Sequence, residues 1–340
     1  MTAMKAAPRS FADIRVGVAG WSYPDWEGIV YPRRKGRGFD PLAYLARYFD
    51  TIELNNTFYR PPSAKMSASW ARRVEHNPRF RFTAKVWQQI THARSFNRHH
   101  VDAFEQGVQP LADADRLSCV LLQYPWSFRN TPASHERLKR SIDALARFRV
   151  AVELRHGSWN TPDSWELLGR IGAAYCAIDQ PPQRNGLPPL DVVTSEPAYF
   201  RLHGRNRKAW FDPGSGRDQR YDYLYDSDEL EELAGTMAEM AARSSELVVI
   251  ANNHYLGQAV TNALQLKVLL RRLVGQERGA VAEAAPAAAG ASPGPSSSTL
   301  PGLPAELCEA FPQLLDIGAP EGGAQTSLPL LGADGARNEE

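Results

Sequence analysis

Short runs of apolar and β-branched residues recur eight times between residues 14 and 275, and each run ends in polar, Gly or Pro residues. Runs of this length and composition predict β-strands. In chain order they read IRVGVAGWS, TIELNNT, RFRFTAKV, LSCVLLQYP, RVAVELRH, AAYCAIDQ, AYFRLHG and ELVVIANNH.

Segments with apolar residues at helical spacing lie between most of these runs, for example SHERLKRSIDALARF and DSDELEELAGTMAEMAARS. Thr161 before Pro162, and Asp226 before an acidic first turn, predict two helix N-termini. Between the sixth and seventh runs, PPQRNGLPPLDVVTSEP has too many prolines for a helix and predicts a loop. Strands and helices that alternate in this way predict a single-domain, TIM-like (β/α)8 barrel over residues 14–275. An open doubly wound sheet is disfavoured because the chain has no GxGxxG or GxxxxGK[ST] motif.

The composition changes at residue 276, where Ala, Pro, Gly and Ser begin to dominate. Such a segment buries too little apolar surface to offset the entropy of ordering, so residues 276–340 are predicted to be a disordered tail. Residues 1–13 are predicted to be a flexible N-terminus. The tail carries nine acidic and two basic residues, and the formal net charge of +1 therefore leaves +8 on the rest of the chain. A basic body suits either an anionic ligand or simple solubility.

The N-terminal sequence MTAMKAAPRSFADIR has no apolar run typical of a signal peptide, and no stretch reaches the roughly 20 apolar residues of a membrane span. Three cysteines without CxxC spacing favour neither a disulfide framework nor a structural zinc site. We therefore expect a cytoplasmic protein that does not contact a membrane.

Alternation along the strands predicts which polar side chains face the barrel axis. In TIELN, apolar neighbours flank Glu53, so Glu53 and Asn55 are expected to point inward. The same rule applied to VAVELRH turns Glu153 and Arg155 inward. Five further polar residues are expected to face the axis: Lys85, Gln123, Asp179, Arg201 and His203. All lie near the C-terminal ends of their strands, where barrel enzymes assemble their sites.

The ends of other segments add candidates at the same face of the barrel. In the last strand Asn252 and Asn253 are adjacent, and parity favours Asn253 as the inward residue. His254 follows them and is placed to reach the mouth. Tyr59 lies on the loop above Glu53, where its hydroxyl either donates a hydrogen bond to a ligand or caps the structure.

Aromatic and basic residues cluster in two further segments. In GWSYPDWEGIVYP, Tyr23 and Trp26 either line the barrel mouth or plug its end, and plugging is the commoner role. The segment RLHGRNRKAWFDPGSGRDQRYDYLY interleaves arginines, Arg205 among them, with five aromatic residues. It is either a nucleic-acid-binding surface whose rings stack on bases or a solvated loop with buried aromatic residues.

The inward-facing set suits an anion better than a metal. Ion pairs inside a barrel can also serve the fold alone, although buried pairs are often neutral or costly for stability. Guanidinium groups donate paired hydrogen bonds to phosphate or carboxylate. Lys85, Arg155 and Arg201 are expected at the depth of the carboxylates and disfavour a cation there, so no cofactor is expected. The only candidate ligands for a divalent cation are Glu53, Glu153, Asp179, His203 and His254.

Seven motifs follow one another between about residues 14 and 270: GWSYPDWEGIVYP, TIELNNTFYRPP, FTAKVWQQITH, LLQYPWSF, VELRHGSW, RLHG and NNHYLGQAVTNA. In this order they resemble the YecE-like family, also called domain of unknown function 72. The resemblance implies a TIM-like barrel related in architecture to the endonuclease IV and xylose isomerase type, where a hydrolase or lyase would be expected, but it implies no established reaction. The chain lacks that nuclease type's dense His, Asp and Glu series at the strand ends, so a trinuclear metal site is not implied.

The tail contains the motif QTSLPLL at residues 325–331. It resembles the Gln-x-Ser-Leu-Pro-Leu-hydrophobic peptides that bind the bacterial sliding clamp, which would make Gln325, Leu328, Leu330 and Leu331 the contact residues. The alternative is an unstructured end with incidental leucines.

The favoured hypothesis is a barrel that binds, and acts on, a phosphate-bearing ligand, nucleic acid above all. Arg155, Arg201 and Arg205 would hold the phosphate. The remaining ligand-binding candidates are Asn55, Tyr59, Gln123, Asp179, Asn252 and Asn253. The catalytic candidates are Glu53 and Glu153 as general bases and Lys85 and His203 as general acids.

Two alternatives belong to other functional classes. The first is a small-molecule enzyme of sugar or keto-acid type, in which Lys85 forms a Schiff base or stabilises an enolate beside Glu53. The second is a non-catalytic adaptor that residues 325–331 recruit to the sliding clamp.

Overall fold

The computed structural model of the protein describes residues 12–284 and 302–316, and it confirms the predicted TIM-like barrel. Eight parallel strands form the closed sheet: β1 (Asp13–Ala19), β2 (Thr51–Leu54), β3 (Arg81–Lys85), β4 (Leu117–Gln123), β5 (Val150–Glu153), β6 (Ala173–Asp179), β7 (Ala198–Leu202) and β8 (Glu246–Ala251). The strands pair in chain order, and β8 closes the barrel on β1 through pairs that run from Asp13↔Glu246 to Val18↔Ala251.

The helices surround this sheet: α1 (Pro41–Leu45), α2 (Ala64–Arg73), α3 (Gln88–Thr91), α4 (Arg98–Asp113), α5 (Pro132–Ala144), α6 (Pro162–Arg170), α7 (Arg207–Phe211), α8 (Arg217–Arg220), α9 (Ser227–Ala241), α10 (Gln258–Ala284) and α11 (Ala305–Ala310). The helix N-termini predicted at Thr161 and Asp226 are confirmed, because Thr161 Oγ1 accepts from the backbone N–H of Ser164 at 3.2 Å and Asp226 Oδ1 from that of Glu229 at 2.9 Å. A helix start expected at Ser134 was wrong: α5 begins at Pro132, and Thr131 Oγ1 accepts from the backbone N–H of Ser134 at 3.2 Å. The proline-rich stretch between β6 and β7 contains no helix, as predicted.

Each strand separates two apolar layers. Small and medium side chains such as Ala151, Cys176 and Ile250 fill the barrel interior, whereas Leu54 and Phe82 pack outward with the helices. Both layers are fully buried, which is why the strands contain so few polar residues. The polar residues that do point inward therefore mark the two ends of the barrel. None of the described helices is both long and apolar enough to cross a bilayer.

The folded chain extends beyond the boundary expected at residue 275. Helix α10 continues to Ala284, and residues 302–316 return to pack on the barrel. In this returning segment Leu303, Leu307 and Leu314 are buried, so its apolar positions are satisfied by the barrel and the disorder expected over all of 276–340 does not hold there. The sequence signal was the short apolar island AELCEAFPQLLDI inside a tail of otherwise low hydrophobicity. Of the N-terminus expected to be flexible over residues 1–13, residues 1–11 lie outside the described residues, as does the clamp-like peptide at residues 325–331. The expectation does not hold for the last two residues, because Ala12 is buried and Asp13 begins β1.

Candidate functional site

The C-terminal half of the barrel interior contains a buried ionic cluster, which we call the polar floor and define as Glu53, Glu153, Tyr199 and Arg201. Arg201 of β7 donates from Nη2 to Glu53 Oε1 at 2.6 Å and from Nη1 to Glu153 Oε2. Tyr199 OH donates to Glu53 Oε2 at 2.8 Å. Because β2, β5 and β7 are not neighbours in the sheet, these contacts cross the barrel and place all four side chains inside, as alternation predicted for the three charged residues.

The rim pocket lies directly above the polar floor and has a volume of about 160 Å³. Its walls come from the ends of six strands and from the loops that follow them. The lining residues are Tyr23, Asn55, Tyr59, Lys85, Gln123, Arg155, Arg201, His203, Tyr221, Asn252 and His254. The structure thus brings together eight of the predicted site residues and the metal candidate His254 in one cavity. Glu53 and Glu153 lie beneath it and do not line it.

Positive charge predominates at the pocket surface because Glu53 and Glu153, which lie beneath it, form ion pairs with arginines. Arg155 donates from Nε to Glu153 Oε1 at 2.6 Å, on the side away from Arg201. Burial alone would raise the pKa of Glu153, but the charges of Arg155 and Arg201 hold that pKa well below its usual range. Glu153 is consequently a weak base, and its predicted role as a general base is disfavoured.

His203 is a neutral imidazole in this environment. Burial lowers the pKa of His203 to about 3, although Glu153 lies 3.5 Å from Nε2. Asn252 Nδ2 contacts His203 Nδ1 at 3.0 Å, so in this amide orientation Nδ1 accepts and the ring proton resides on Nε2. The side chain is suited to hydrogen bonding with a ligand near neutral pH rather than to carrying charge.

Lys85 is the titratable group of the rim pocket whose pKa lies close to neutral pH. Burial, and then the charge of Arg201, lower the pKa of Lys85 to about 7. Its ammonium lies 4.0 Å from the centroid of the Phe58 ring, and among the described residues no carboxylate forms an ion pair with it. The lysine also lowers the pKa of neighbouring His92, which burial and this charge together bring to about 4. An amine with such a pKa can take or give a proton at the pH of a cell.

Two buried polar atoms at the pocket have no hydrogen-bond partner among residues 12–284 and 302–316. They are Arg201 Nε, a donor, and Asn55 Oδ1, an acceptor. Buried groups of this kind are normally satisfied by protein, water or a ligand. Their position at the rim pocket supports a ligand that combines accepting and donating groups.

Asp179 and Arg205 form a separate cluster, contrary to the predicted site. Arg205 donates to both oxygens of Asp179, from Nη2 to Oδ1 at 2.8 Å and from Nε to Oδ2 at 3.0 Å, and Tyr225 OH donates to Oδ2 at 2.5 Å. The inward residues of β6 include Cys176 and Ile178, so Asp179 faces the helices. The parity rule failed here because β6 is apolar on both faces and its pattern does not distinguish them.

The preference for Asn253 over Asn252 as the inward residue was also wrong. Asn252 lines the rim pocket, whereas Asn253 Nδ2 donates to Tyr223 O at 2.8 Å and to Asn262 Oδ1 at 2.9 Å outside it. Val248 and Ile250 are the inward residues of β8, which puts Asn252 on the same face.

Tyr23 and Tyr221 line the pocket but were not among the predicted ligand-binding residues. Gly20 has a φ of +78°, which turns the chain so that Tyr23 OH donates back to Ala19 O at 2.6 Å. The Tyr23 ring then stacks on His254, with centroids 4.5 Å apart and an interplanar angle of 13°. Trp26, by contrast, is fully buried, as expected of a plug.

The donor set does not fit a divalent cation. Arg201 engages both floor carboxylates, Asp179 faces away, and two guanidinium groups lie within 3.5 Å of His203 Nε2. Within the ranges that the structure describes, no three His, Cys, Asp or Glu side chains are grouped so that they could hold a metal ion. Cations would have to be displaced before a metal could bind, so we derive no step through one.

Comparison with known proteins identifies one family. Residues 15–288 match the family model described as protein of unknown function DUF72. The UPF0759 protein YunF of Bacillus subtilis is 27% identical over 272 residues, which cover 76% of this chain and 94% of YunF. The UPF0759 protein YecE of Escherichia coli K12 is 32% identical over 149 residues, which cover 42% of this chain and about half (48%) of YecE.

Solved structures agree with this match. A DUF72 family protein from Thermotoga maritima has a TM-score of 0.66 and 32% identity, with 77% of this chain and 99% of that chain covered. A DUF72 family protein from Enterococcus faecalis has a TM-score of 0.67 and 26% identity, with 76% and 95% covered. These similarities support the barrel and the family but assign no ligand.

Proposed function

The chain belongs to the DUF72 family of proteins of unknown function, as its motifs indicated, and from that premise we propose that the rim pocket binds the phosphate group of a phosphate-bearing ligand, with nucleic acid as the favoured source. The observation that carries the proposal is the division of charge. Lys85, Arg155 and Arg201 face the cavity, while the carboxylates that balance the arginines lie buried beneath it. The described residues that line the cavity include no Asp or Glu, so a ligand inside it contacts cations and amides.

The size of the rim pocket favours a single anionic group. Ligand sites for whole drug-sized molecules occupy roughly 300–1,000 Å³, whereas this cavity measures about 160 Å³. It therefore takes a phosphate, or a carboxylate of similar size, with the rest of the ligand outside the barrel. Arg155 and Arg201 supply guanidinium donors, and Asn55 and His203 supply neutral hydrogen-bonding groups.

The segment after β7 supports nucleic acid as the source of the phosphate. Tyr221 lines the rim pocket. The ring centroid of Trp210 lies 5.8 Å from that of Tyr221 and 5.9 Å from Cζ of the Arg155 guanidinium. Phe211 beside it is about half exposed. Rings and cations in this arrangement can stack bases while a phosphate is held below.

Lys85 is the group that we assign to proton transfer. Its pKa of about 7 suits a general base or acid near neutral pH, whereas Glu153 is held ionised and His203 neutral by their surroundings. When an anion binds, the added negative charge favours the protonated lysine, so proton uptake accompanies binding.

The proposal is tested by calorimetric titration with inorganic phosphate, a nucleoside monophosphate and a short single-stranded oligonucleotide. Lys85→Met and Arg155→Met should each weaken binding at least about tenfold, since a charge-assisted hydrogen bond contributes roughly 1.5–3 kcal/mol. Lys139→Met and Arg72→Met remove equal charges from exposed positions and should change affinity less than about twofold. Affinity that ignores salt, or losses that are equal in the control variants, would contradict the proposal.

A keto-acid or sugar enzyme is the second candidate, and it is favoured by the lowered pKa of the Lys85 amine. A neutral amine can attack a ligand carbonyl carbon, and loss of water then gives an imine. Borohydride would reduce that imine to a stable secondary amine. Mass spectrometry after incubation with pyruvate and borohydride should locate the adduct on Lys85; an unmodified Lys85 would remove this candidate and leave the phosphate site untouched.

A further inference from the structure

A second, larger cavity lies beside the rim pocket, between the loop after β2 and helices α2 and α4. We call it the side groove. Its volume is about 790 Å³, within the range of small-molecule sites. The apolar residues that line it include Tyr59, Pro61, Pro62, Met66, Trp87 and Ala103.

The walls of the side groove are fixed by packing. Gly107 of α4 lies so close to the loop that a Cβ there would be 2.5 Å from Pro62 O. The two prolines restrict the backbone of the loop, and Trp87 Nε1 donates to Tyr59 O at 3.1 Å. The groove is therefore a preformed feature of this fold, and little ordering is required of the protein when a ligand binds.

Tyr59 connects the two cavities because its side chain lines both. It is 63% exposed, and Met66 is 41% exposed. Among the described residues seven large apolar side chains are at least 37% exposed, and these two lie at the same groove. Exposed apolar surface that is continuous with a polar pocket is typical of a ligand site with two chemically different halves.

We infer that the ligand is amphiphilic: its phosphate binds in the rim pocket, and a flat aromatic substituent lies in the side groove against Tyr59. This inference rests on the proposed function and narrows the class of ligand to a phosphate ester that carries a flat aromatic group, as a nucleotide does. The flat ring matches a groove bounded by tyrosine, tryptophan and proline residues; Arg60 is the one cation among its described lining residues, whereas Lys85, Arg155 and Arg201 line the rim pocket.

The test compares inorganic phosphate with 1-naphthyl phosphate, which adds only the ring. Naphthyl phosphate should bind at least about tenfold more tightly, the equivalent of 1.4 kcal/mol. Met66→Ser, which removes an apolar contact, and Ala103→Leu, which fills the groove, should each abolish most of this advantage and leave phosphate affinity within about twofold. Ala114→Leu, at the exposed end of the same helix as Ala103, should change neither affinity.

The outcomes separate the two proposals. If phosphate binds and naphthyl phosphate binds no more tightly, the side-groove inference is overturned and the phosphate site stands. If neither ligand binds, both are overturned. If the advantage persists in both groove variants, the ring lies elsewhere and the inference is also overturned.

Discussion

Replacing Arg201 with Met shows how much the ion pairs of the polar floor contribute to the free energy of unfolding. The variant keeps an unbranched side chain in the barrel but removes the cation between Glu53 and Glu153, and all three side chains are at most 1% exposed. Truncating one partner of a buried ion pair costs roughly 3–5 kcal/mol, because an uncompensated charge stays in a medium of low dielectric. The free energy of unfolding is expected to fall by that amount at neutral pH.

Arg73→Met is the matched control. It breaks the pair between Arg73 Nη2 and Asp40 Oδ1, 2.5 Å apart, in which the side chains are 30% and 31% exposed. Pairs near the surface contribute about 0–1 kcal/mol, so this variant should lose at most about a third of what Arg201→Met loses. Glu53→Gln combined with Arg201→Met should recover part of the loss, because the double variant no longer buries the Glu53 charge without a cation.

The pH dependence has a definite sign. In the native protein the depressed pKa of Glu153 contributes stability above the pKa of the unfolded chain, and this is lost as pH falls through the folded pKa. In Arg201→Met that pKa rises, so the folded variant gains protons more readily than the native protein. The difference in unfolding free energy should be largest near pH 7 and smaller near about pH 5.

Urea unfolding followed by circular dichroism at both pH values measures these quantities. An Arg201→Met loss no greater than that of Arg73→Met, or a loss that grows as pH falls, would refute the assigned charge arrangement.

Two further predictions concern lysine and cysteine reactivity. Lys85 should be acetylated by limiting acetic anhydride with a midpoint near pH 7, because the reactive neutral amine forms as pH rises through its lowered pKa. A midpoint near about pH 10.4, the ordinary value for lysine, in peptide mass spectrometry would contradict this. Leu307→Ala should release residues 302–316 and expose Cys308, whereas the two cysteines inside the barrel stay unreactive. Quantitative thiol titration should then rise from about zero to one fast-reacting thiol, and an unchanged titre would show that the segment is held by other contacts.

The barrel and the three charged residues of the polar floor were predictable because local pattern and global fold agree. Glu53 and Glu153 are each flanked by apolar residues that pack outward, so alternation alone turns them to the axis. Arg201 follows the same rule in β7. Residues that are isolated polar positions in otherwise apolar strands can be placed in this way without knowledge of the contacts.

Other features required the three-dimensional structure. Asp179 lies in a strand that is apolar on both faces. Asn252 follows the last residue of β8, where the alternation of the strand no longer indicates a direction. The side groove depends on how α4 packs against the loop after β2, a long-range contact without a local signature. The lowered pKa of Lys85 likewise results from burial and from Arg201, which is distant in the chain.

The rim pocket is proposed to bind a tetrahedral anion. Crystals soaked in tungstate, a heavy tetrahedral oxyanion that substitutes for phosphate, would test it by anomalous diffraction. A tungsten peak is expected in the rim pocket, with the oxyanion within hydrogen-bond distance of Lys85 Nζ and the Arg155 guanidinium. Peaks confined to surface arginines, with none between these two side chains, would contradict it.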